Sequence, residues 1–494
     1  MSDRMRLQRG EGIGEQAWID RIETVGGPRY LAILACLEDA IRTGQLAPRA
    51  QLPPQRRLAE MLDLTVGTTG RAYAIAAERG LITGETGRGT FVSENPFGGG
   101  EGSIKPLRGA LADIGRLRPR TTEYSDERQI IDLALPAAPG SQITQILLRA
   151  MTSLIDRQRL VLPRKIVSRR APARYSEAAA RWIAGMGLDV EPSQVVVTAN
   201  ATQGIAATVL FNSARGESIL TSALTYPGLK VLAFNYGWHL EVIESDDDGI
   251  LPDALERAAV KGLGRVVYLQ SELHNPTAAS MSLARRRAIA ETAARHDLIL
   301  IDDCAALSEL RSQTTPLAAL APEHTFLVAS ATKSVGVSLS AGYVVAPPGW
   351  GERFELQIRD RYFQPVPMGA EVMTYLIESG EIDEVAGVYR TTIARRTALL
   401  KDNLPEALFA GDPRAFFVWL QLPPHWHSEA FASACVLSGV TVAAAGNFQV
   451  GMMMNVPAVR ISLLGSISDE AYVEGLTRLR ALLLSSGVST GVIV

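Results

Sequence analysis

Five short motifs hold residues able to do chemistry, and each stands at or just after an apolar run. Lys333 follows one such run within Ser330-Ala331-Thr332-Lys333, and Asp302 ends another in Leu300-Ile301-Asp302-Asp303. Asn275-Pro276-Thr277 lies just beyond a third, and Tyr226 sits in Thr225-Tyr226-Pro227-Gly228. Thr198-Ala199-Asn200-Ala201-Thr202-Gln203 turns from an apolar run into a helical pattern. A lysine amine attacks an aldehyde once burial or nearby cations lower its pKa. A carboxylate can hold a ring nitrogen, an amide a phenolic oxygen, and an aromatic side chain can stack on a flat ring. Hydroxyls and the free N–H groups of a helix start suit a phosphate. Pyridoxal phosphate needs all of these groups at once. Singly, each has an ordinary reading: a strand-end lysine is usually at the surface, Asn-Pro-Thr is usually a turn, and a lone tyrosine is usually core. Only the joint set carries weight.

Positioning such a set requires an open sheet. Residues 195–198, 218–220, 266–269, 298–301, 325–328 and 343–345 are continuous apolar runs, read as buried strands. Helical stretches such as 282–296, with Ser282 as a good N-cap, lie between several of them. Continuous apolar strands bracketed by helices predict a largely parallel α/β sheet covered on both faces. Such sheets bind ligands at the carboxyl ends of their strands, where the motifs stand. From about residue 383 the pattern becomes a smaller α+β unit, ending in a helix over 469–484.

The first hundred residues read differently. Leu31, Leu34, Leu37 and Ile41 form one stripe of a helix that Gly44 stops. A second helix starts in Leu52-Pro53-Pro54-Gln55-Arg56-Arg57-Leu58-Ala59, and a third over 65–79 opens with Thr65, Thr68, Thr69 and Arg71. Short polar side chains at a helix start suit base edges. The stretch 84–92 reads as a hairpin with Arg88 at its tip, and the glycine-rich 95–103 as a linker. The ordered blocks Ile41-Arg42-x-Gly44-x-Leu46-x-Pro48, Leu52-Pro53-x-x-Arg56-x-Leu58-Ala59, Arg71-Ala72-Tyr73, Gly80-Leu81-Ile82 and Gly87-x-Gly89-Thr90-Phe91-Val92 resemble the GntR-type winged helix-turn-helix. The resemblance implies double-stranded DNA as partner, with Arg56, Thr68, Thr69, Arg71 and the wing residues Arg88, Gly89 and Thr90 approaching it. Residues 1–95 hold 12 arginines, no lysine and 12 acidic residues. One copy therefore has little electrostatic reserve for phosphate, and two copies are expected to act together.

The motifs of the larger part resemble, in order and spacing, the class I aminotransferases of fold type I. That resemblance implies pyridoxal 5'-phosphate as cofactor, with Lys333 as its Schiff-base lysine, Asp302 on the pyridine nitrogen, Asn275 on the phenolic oxygen and Tyr226 as stacking ring. Ala201, Thr202, Ser330 and Thr332 would take the phosphate. Arg460, in Val459-Arg460-Ile461-Ser462, matches the arginine that pairs with a substrate carboxylate, a task its planar fork suits. The sequence departs from the family at Ser340 where an arginine usually meets the phosphate, at Cys304 where a tyrosine is usual, and at Ala278 where glycine follows Asn-Pro-Thr. An unreplaced charged hydrogen bond at position 340 would cost about 1.5–3 kcal/mol.

Composition is ordinary for a globular protein: 494 residues, 47% hydrophobic, 20% charged, net charge −3. Three separated cysteines exclude a disulfide framework and metal-ligand spacing, and no apolar run reaches 18 residues, so a cytoplasmic protein without a membrane span is expected. The expected domains are a winged helix-turn-helix over 22–93, a flexible linker over 94–128, and an aminotransferase-like, dimerising α/β body over 129–494 whose small part begins near 383. This combination resembles the MocR subfamily of GntR-type transcription regulators. It implies a head-to-tail homodimer that senses an amino compound or the cofactor through an aldimine at Lys333. Two rivals are an active aminotransferase with an accessory DNA-binding module and a cofactor-free regulator whose body only dimerises.

Overall fold

The computed structural model describes residues 29–42, 45–62, 64–78, 81–85, 89–93, 130–137, 140–157, 171–214, 216–307, 312–336, 339–362, 367–451, 456–465 and 467–485. The chain divides into two compact units, Met1–Thr121 and Thr122–Val494. The expected linker over 94–128 and the wing tip at Arg88 lie outside the described residues.

The first unit is a winged helix-turn-helix. Helix α1 (Arg29–Arg42), strand β1 (Gln51–Leu52), helices α2 (Gln55–Met61) and α3 (Val66–Glu78), and strands β2 (Ile82–Glu85) and β3 (Gly89–Val92) follow in order. The apolar stripe of α1 closes a small core, in which Ile33, Leu34, Leu37, Leu58, Ala72 and Ala76 are no more than 2% exposed. Strand β3 lies between β1 and β2, antiparallel to both. The tyrosine of Arg71-Ala72-Tyr73 is buried, and its hydroxyl donates to the Pro53 carbonyl at 2.8 Å. That bond fixes α3 against the entry to α2.

The second unit is built on a seven-stranded sheet. Its strands are β5 (Val195–Thr198), β6 (Ser218–Ser222), β7 (His239–Ile243), β10 (Val266–Leu269), β11 (Ile299–Asp303), β12 (Thr325–Ser330) and β13 (Gly342–Val345). They lie in the order β5-β13-β12-β11-β10-β6-β7, and β13 alone runs antiparallel to its neighbours. A short strand β4 (Ile131–Asp132) precedes this sheet, and the hairpin β8 (Ser245–Asp246)–β9 (Gly249–Ile250) interrupts it. Every residue of β5, β10, β11, β12 and β13 is buried. Helices cover both faces, so these strands carry no polar face and read as continuous apolar runs. Each fully buried Val, Leu, Ile or Phe adds about 1.5–3 kcal/mol of burial free energy.

The helices of this unit that bear on the site are α4 (Ala201–Asn212) after β5, α5 (Pro227–Tyr236) after β6, α6 (Leu283–His296) after β10, and α7 (Thr332–Val335) after β12. Ser282 caps α6 as expected, its hydroxyl accepting from the Arg285 N–H. Beyond helix α8 (Glu381–Asn403) lies a four-stranded antiparallel sheet in the order β14 (Phe409–Ala410), β15 (Phe417–Gln421), β18 (Ala458–Ser462), β17 (Ala443–Ala444), closed by α9 (Asp469–Leu484). The small part, expected to begin near residue 383, also takes in an earlier segment. Strand β4 pairs in parallel with β16 (Val440–Thr441) and so joins the C-terminal layer. Its two residues are too few to show a period in sequence. Among the described residues no helix is long and apolar enough to cross a membrane, and no cluster of His, Cys, Asp and Glu could hold a metal ion.

Candidate cofactor and DNA-binding sites

The motifs converge where the parallel strands end. Asn200, extended at φ −167°, lies two residues beyond β5 and caps α4, its side chain accepting from the Gln203 N–H at 2.9 Å. The first-turn N–H groups of Ala201 and Thr202 have no helical acceptor and face outward along the helix axis, a cradle for an anion. Gly342 forms its floor, paired with Thr198 on one side and Ser330 on the other. A Cβ there would stand 2.4 Å from the Asn200 carbonyl carbon and from Thr198 Oγ1. Ser330 Oγ donates to Thr332 Oγ1 at 2.9 Å and accepts from the Thr332 N–H at 3.1 Å. Ser340 is turned into the wall of the cradle, donating to the Ala199 carbonyl at 3.1 Å. It ties the loop rather than replacing the arginine usual at that position.

Lys333 stands in the first turn of α7, directly after β12. Burial and the positive charge of Arg460 hold its amine down at about 8, with Asp303 acting in the opposite direction. Tyr226 caps α5; its hydroxyl lies 3.1 Å from Thr202 Oγ1, and burial pushes its pKa up. Gly228 makes room for that ring, since a Cβ on it would come within 2.2 Å of the tyrosine's Cε1.

Asp302 does not face the lysine. Neighbouring residues of a strand point to opposite sides of the sheet. The Asp302 carboxylate turns to Ser271, whose N–H and Oγ donate to its two oxygens at 3.0 and 2.8 Å. The carboxylate on the lysine side is Asp303, whose charge acts on Lys333 and Tyr226. Asp303 accepts from the Tyr268 hydroxyl at 2.6 Å, Gln270 Nε2 at 3.3 Å and the Ala305 N–H at 3.0 Å. Burial raises it to about 6, against the lowering effect of those bonds. Two adjacent aspartates at a strand end cannot be told apart without the direction of the pleat. The expectation named Asp302; the structure puts Asp303 on the side of the lysine.

Arg460 lies on β18, opposite Trp419 on β15 and Ala443 on β17. Its guanidinium rests between the rings of Phe448 and Phe417, 5.0 and 5.5 Å from their centroids. One Nη donates to Asn275 Oδ1 at 2.7 Å, the other to the Ala134 carbonyl at 2.8 Å, while Nε is buried without a partner among the described residues. Burial brings its pKa down to about 10. A buried guanidinium with a spare donor and no carboxylate in contact among the described residues is suited to an incoming carboxylate. Cys304 is buried, its thiol pushed well up by burial, and so is not a reactive group. The residues fit pyridoxal phosphate: an activated amine, a carboxylate, an amide, an aromatic ring and an anion cradle stand at one end of the sheet.

In the first unit, Arg56 and Arg71 are exposed, Thr68 and Thr90 half-buried and Gly89 exposed. The Arg71 guanidinium stacks on the Tyr30 ring, 4.4 Å from its centroid. Thr65 and Thr68 share a bond between their hydroxyls at 2.9 Å. Thr69 departs from its expected DNA role. It is fully buried, and its hydroxyl donates to the Gln55 and Val66 carbonyls at 3.0 and 3.1 Å, pinning α3 to α2. Arg88 lies outside the described residues.

Comparison with known proteins adds to this geometry. Residues 149–479 match the family of class I and II aminotransferases, and residues 29–92 the gntR family of bacterial regulatory proteins. The chain is 27% identical over 469 residues to the HTH-type transcriptional regulator YdeF of Bacillus subtilis, covering 94% of this chain and 97% of that protein. It is 25% identical over 370 residues to the pyridoxine biosynthesis regulator PdxR of Corynebacterium glutamicum, covering 74% and 76%. Among solved structures, an archaeal alanine:glyoxylate aminotransferase superposes with a TM-score of 0.64 at 20% identity, over 78% of this chain and 96% of that one. LysN of Thermus thermophilus, complexed with N-(5'-phosphopyridoxyl)-L-leucine, gives 0.61 at 20% identity, over 72% and 92%. These structures share the fold. The chain thus belongs to the class I and II aminotransferase family and carries an N-terminal domain of the gntR family, a combination consistent with the MocR subfamily of transcription regulators.

Proposed function

We propose that this DNA-binding regulator holds pyridoxal phosphate at Lys333 and senses an amino compound carrying a carboxylate. The observation that carries the reading is the convergence at one end of the sheet of an amine held near pKa 8, a hydrogen-bonded carboxylate and a buried arginine with an unused donor among the described residues. Pyridoxal phosphate supplies an aldehyde for the lysine and a ring that withdraws electrons. Around it, Lys333 offers the amine, Asp303 the acceptor for the ring nitrogen, Asn275 the amide for the phenolic oxygen and Tyr226 the ring to stack upon. Ala201, Thr202, Ser330 and Thr332 would hold the phosphate by N–H groups and hydroxyls. Arg460 would leave Asn275 to take the effector's carboxylate. That the Corynebacterium relative is named a transcriptional regulator of pyridoxine biosynthesis supports a cofactor-linked role.

In the DNA-binding unit, Arg56, Thr68, Arg71, Gly89 and Thr90 form the proposed surface for double-stranded DNA, with Arg88 at the wing tip. Its neutral charge balance favours two copies acting together in a head-to-tail homodimer. The effector changes DNA binding only to the extent that it favours one arrangement of the dimer over another. The test is the near-visible absorption spectrum of the purified protein with added cofactor, then with candidate amino acids. A band that appears with cofactor, shifts with an amine and is absent in Lys333→Ala supports the reading. No band sinks it in favour of a cofactor-free body. Sustained conversion of amino-acid and keto-acid pairs, lost in Lys333→Ala, would instead make the chain an aminotransferase.

A further inference from the structure

Asp303 is held by more than its place on β11. Tyr268 and Gln270 lie two residues apart along β10 and its exit, on one face of the sheet, and both are buried, at 1% and 4% exposure. Both donate to the same oxygen, Asp303 Oδ2, while Oδ1 receives only the Ala305 N–H among the described residues. A carboxylate oxygen accepts about two hydrogen bonds. Oδ2 is therefore filled from behind, and Oδ1 keeps one acceptor position. Gln270 also faces the other way: its Oε1 accepts from the Asn275 N–H at 3.1 Å, and Asn275 Oδ1 accepts from Arg460. One chain of hydrogen bonds thus runs from Tyr268 through Asp303, Gln270 and Asn275 to Arg460.

We propose that Tyr268 and Gln270 are positioning residues that keep Asp303 ionised and turn its free oxygen position to the ring nitrogen of the bound cofactor. This rests on the cofactor reading above. A carboxylate buried alone takes up a proton rather than stay charged. A neutral acid cannot balance a protonated pyridine ring, and that protonation gives the cofactor its electron-withdrawing power. Burial raises Asp303, and the bond from Tyr268 is the largest influence opposing it, followed by the Ala305 N–H. The charged and titratable groups whose charges act on or with Asp303 are its strand neighbours Asp302 and Cys304, Tyr268 on β10, Tyr226 at the start of α5 and Lys333 on α7.

The experiment uses the full chain loaded with pyridoxal phosphate labelled with ¹⁵N at the ring nitrogen. In wild type the nitrogen signal should be that of a protonated pyridine at pH 7. In Tyr268→Phe, which keeps the ring and removes only the hydroxyl, the signal should move toward the neutral position. The cofactor's Kd should rise at least ~10-fold at pH 7, and raising the pH should restore most of it. Gln270→Met, which leaves the phenol in place, should move both readings the same way by less, and it carries the test if Tyr268→Phe does not fold. A protonated signal and an unchanged Kd–pH profile in the folded variants overturn the positioning role while leaving the cofactor site standing. Failure of wild type to take up cofactor overturns both.

Discussion

The amine of Lys333 sets a sharp expectation for how the protein captures an aldehyde. Burial and Arg460 bring it from the ordinary 10.5 to about 8. That displacement of ~2.5 pH units corresponds to about 3 kcal/mol against the charged form. At pH 7 roughly one Lys333 in ten is then a free amine, against roughly one in three thousand for an ordinary lysine. The perturbation is pH, and the assay is the rate at which apoprotein develops the absorption of lysine-bound pyridoxal phosphate. The rate should climb about tenfold per pH unit to near pH 8 and then level off. Arg460→Met, which removes a positive charge, should move that midpoint up, and Asp303→Asn should move it down. The same shift bears on stability. In the folded state the group binds fewer protons than in the unfolded state between pH 8 and 10.5, so apoprotein stability rises with pH across that window. In Lys333→Met that rise should be absent. A capture rate still climbing steeply above pH 9.5 would refute the reasoning.

Five substitutions separate structure from function. Thr69→Ala removes a buried hydroxyl with two internal bonds and should lower the stability of the first unit by about 1–2 kcal/mol, read by denaturant titration. Operator affinity below the melting range should hold for Thr69→Ala, whereas Arg71→Ala should lose it; the reverse pattern would restore Thr69 to the DNA surface. Gly342→Ala places a methyl against the Asn200 backbone and should weaken pyridoxal phosphate binding; unchanged affinity would show that the phosphate does not use this cradle. Asp303→Asn should reduce cofactor affinity. Asp302→Asn should leave the cofactor spectrum intact while costing about 1–3 kcal/mol of stability, because its amide cannot accept both Ser271 donors. Equal spectral effects of the two would contradict the assignment by strand face.

Much of this was legible in the sequence because the sheet's physics writes itself into local pattern. Strands buried on both faces appear as unbroken apolar runs, and the residues just beyond them lie at the ligand-binding edge of a parallel sheet. Lys333, Asn275, Tyr226 and Arg460 could be picked out on those grounds and by likeness to a family. Pleat direction was not legible. Asp302 and Asp303 are chemically identical neighbours, and only three-dimensional pairing shows which one meets Tyr268 and Gln270. Burial in the first turn of α3 was hidden for a similar reason: Thr69 has the residue type of a base contact, but its hydroxyl donates to the Gln55 and Val66 carbonyls. Gly70 costs α3 some intrinsic helix stability. It has a structural reason, since a Cβ there would press to 3.2 Å from the Gln55 side chain.

The central claim is that the lysine site and the DNA-binding unit form one switch. It is tested most directly by titrating the full chain onto fluorescent DNA from the region upstream of its own gene, with and without pyridoxal phosphate and an amino-acid effector. The account predicts that ligand changes the apparent affinity or the footprint in wild type and does neither in Lys333→Ala, although both proteins bind the DNA. An identical ligand response in the two proteins, or none in a wild type shown by its absorption band to hold the cofactor, would contradict it.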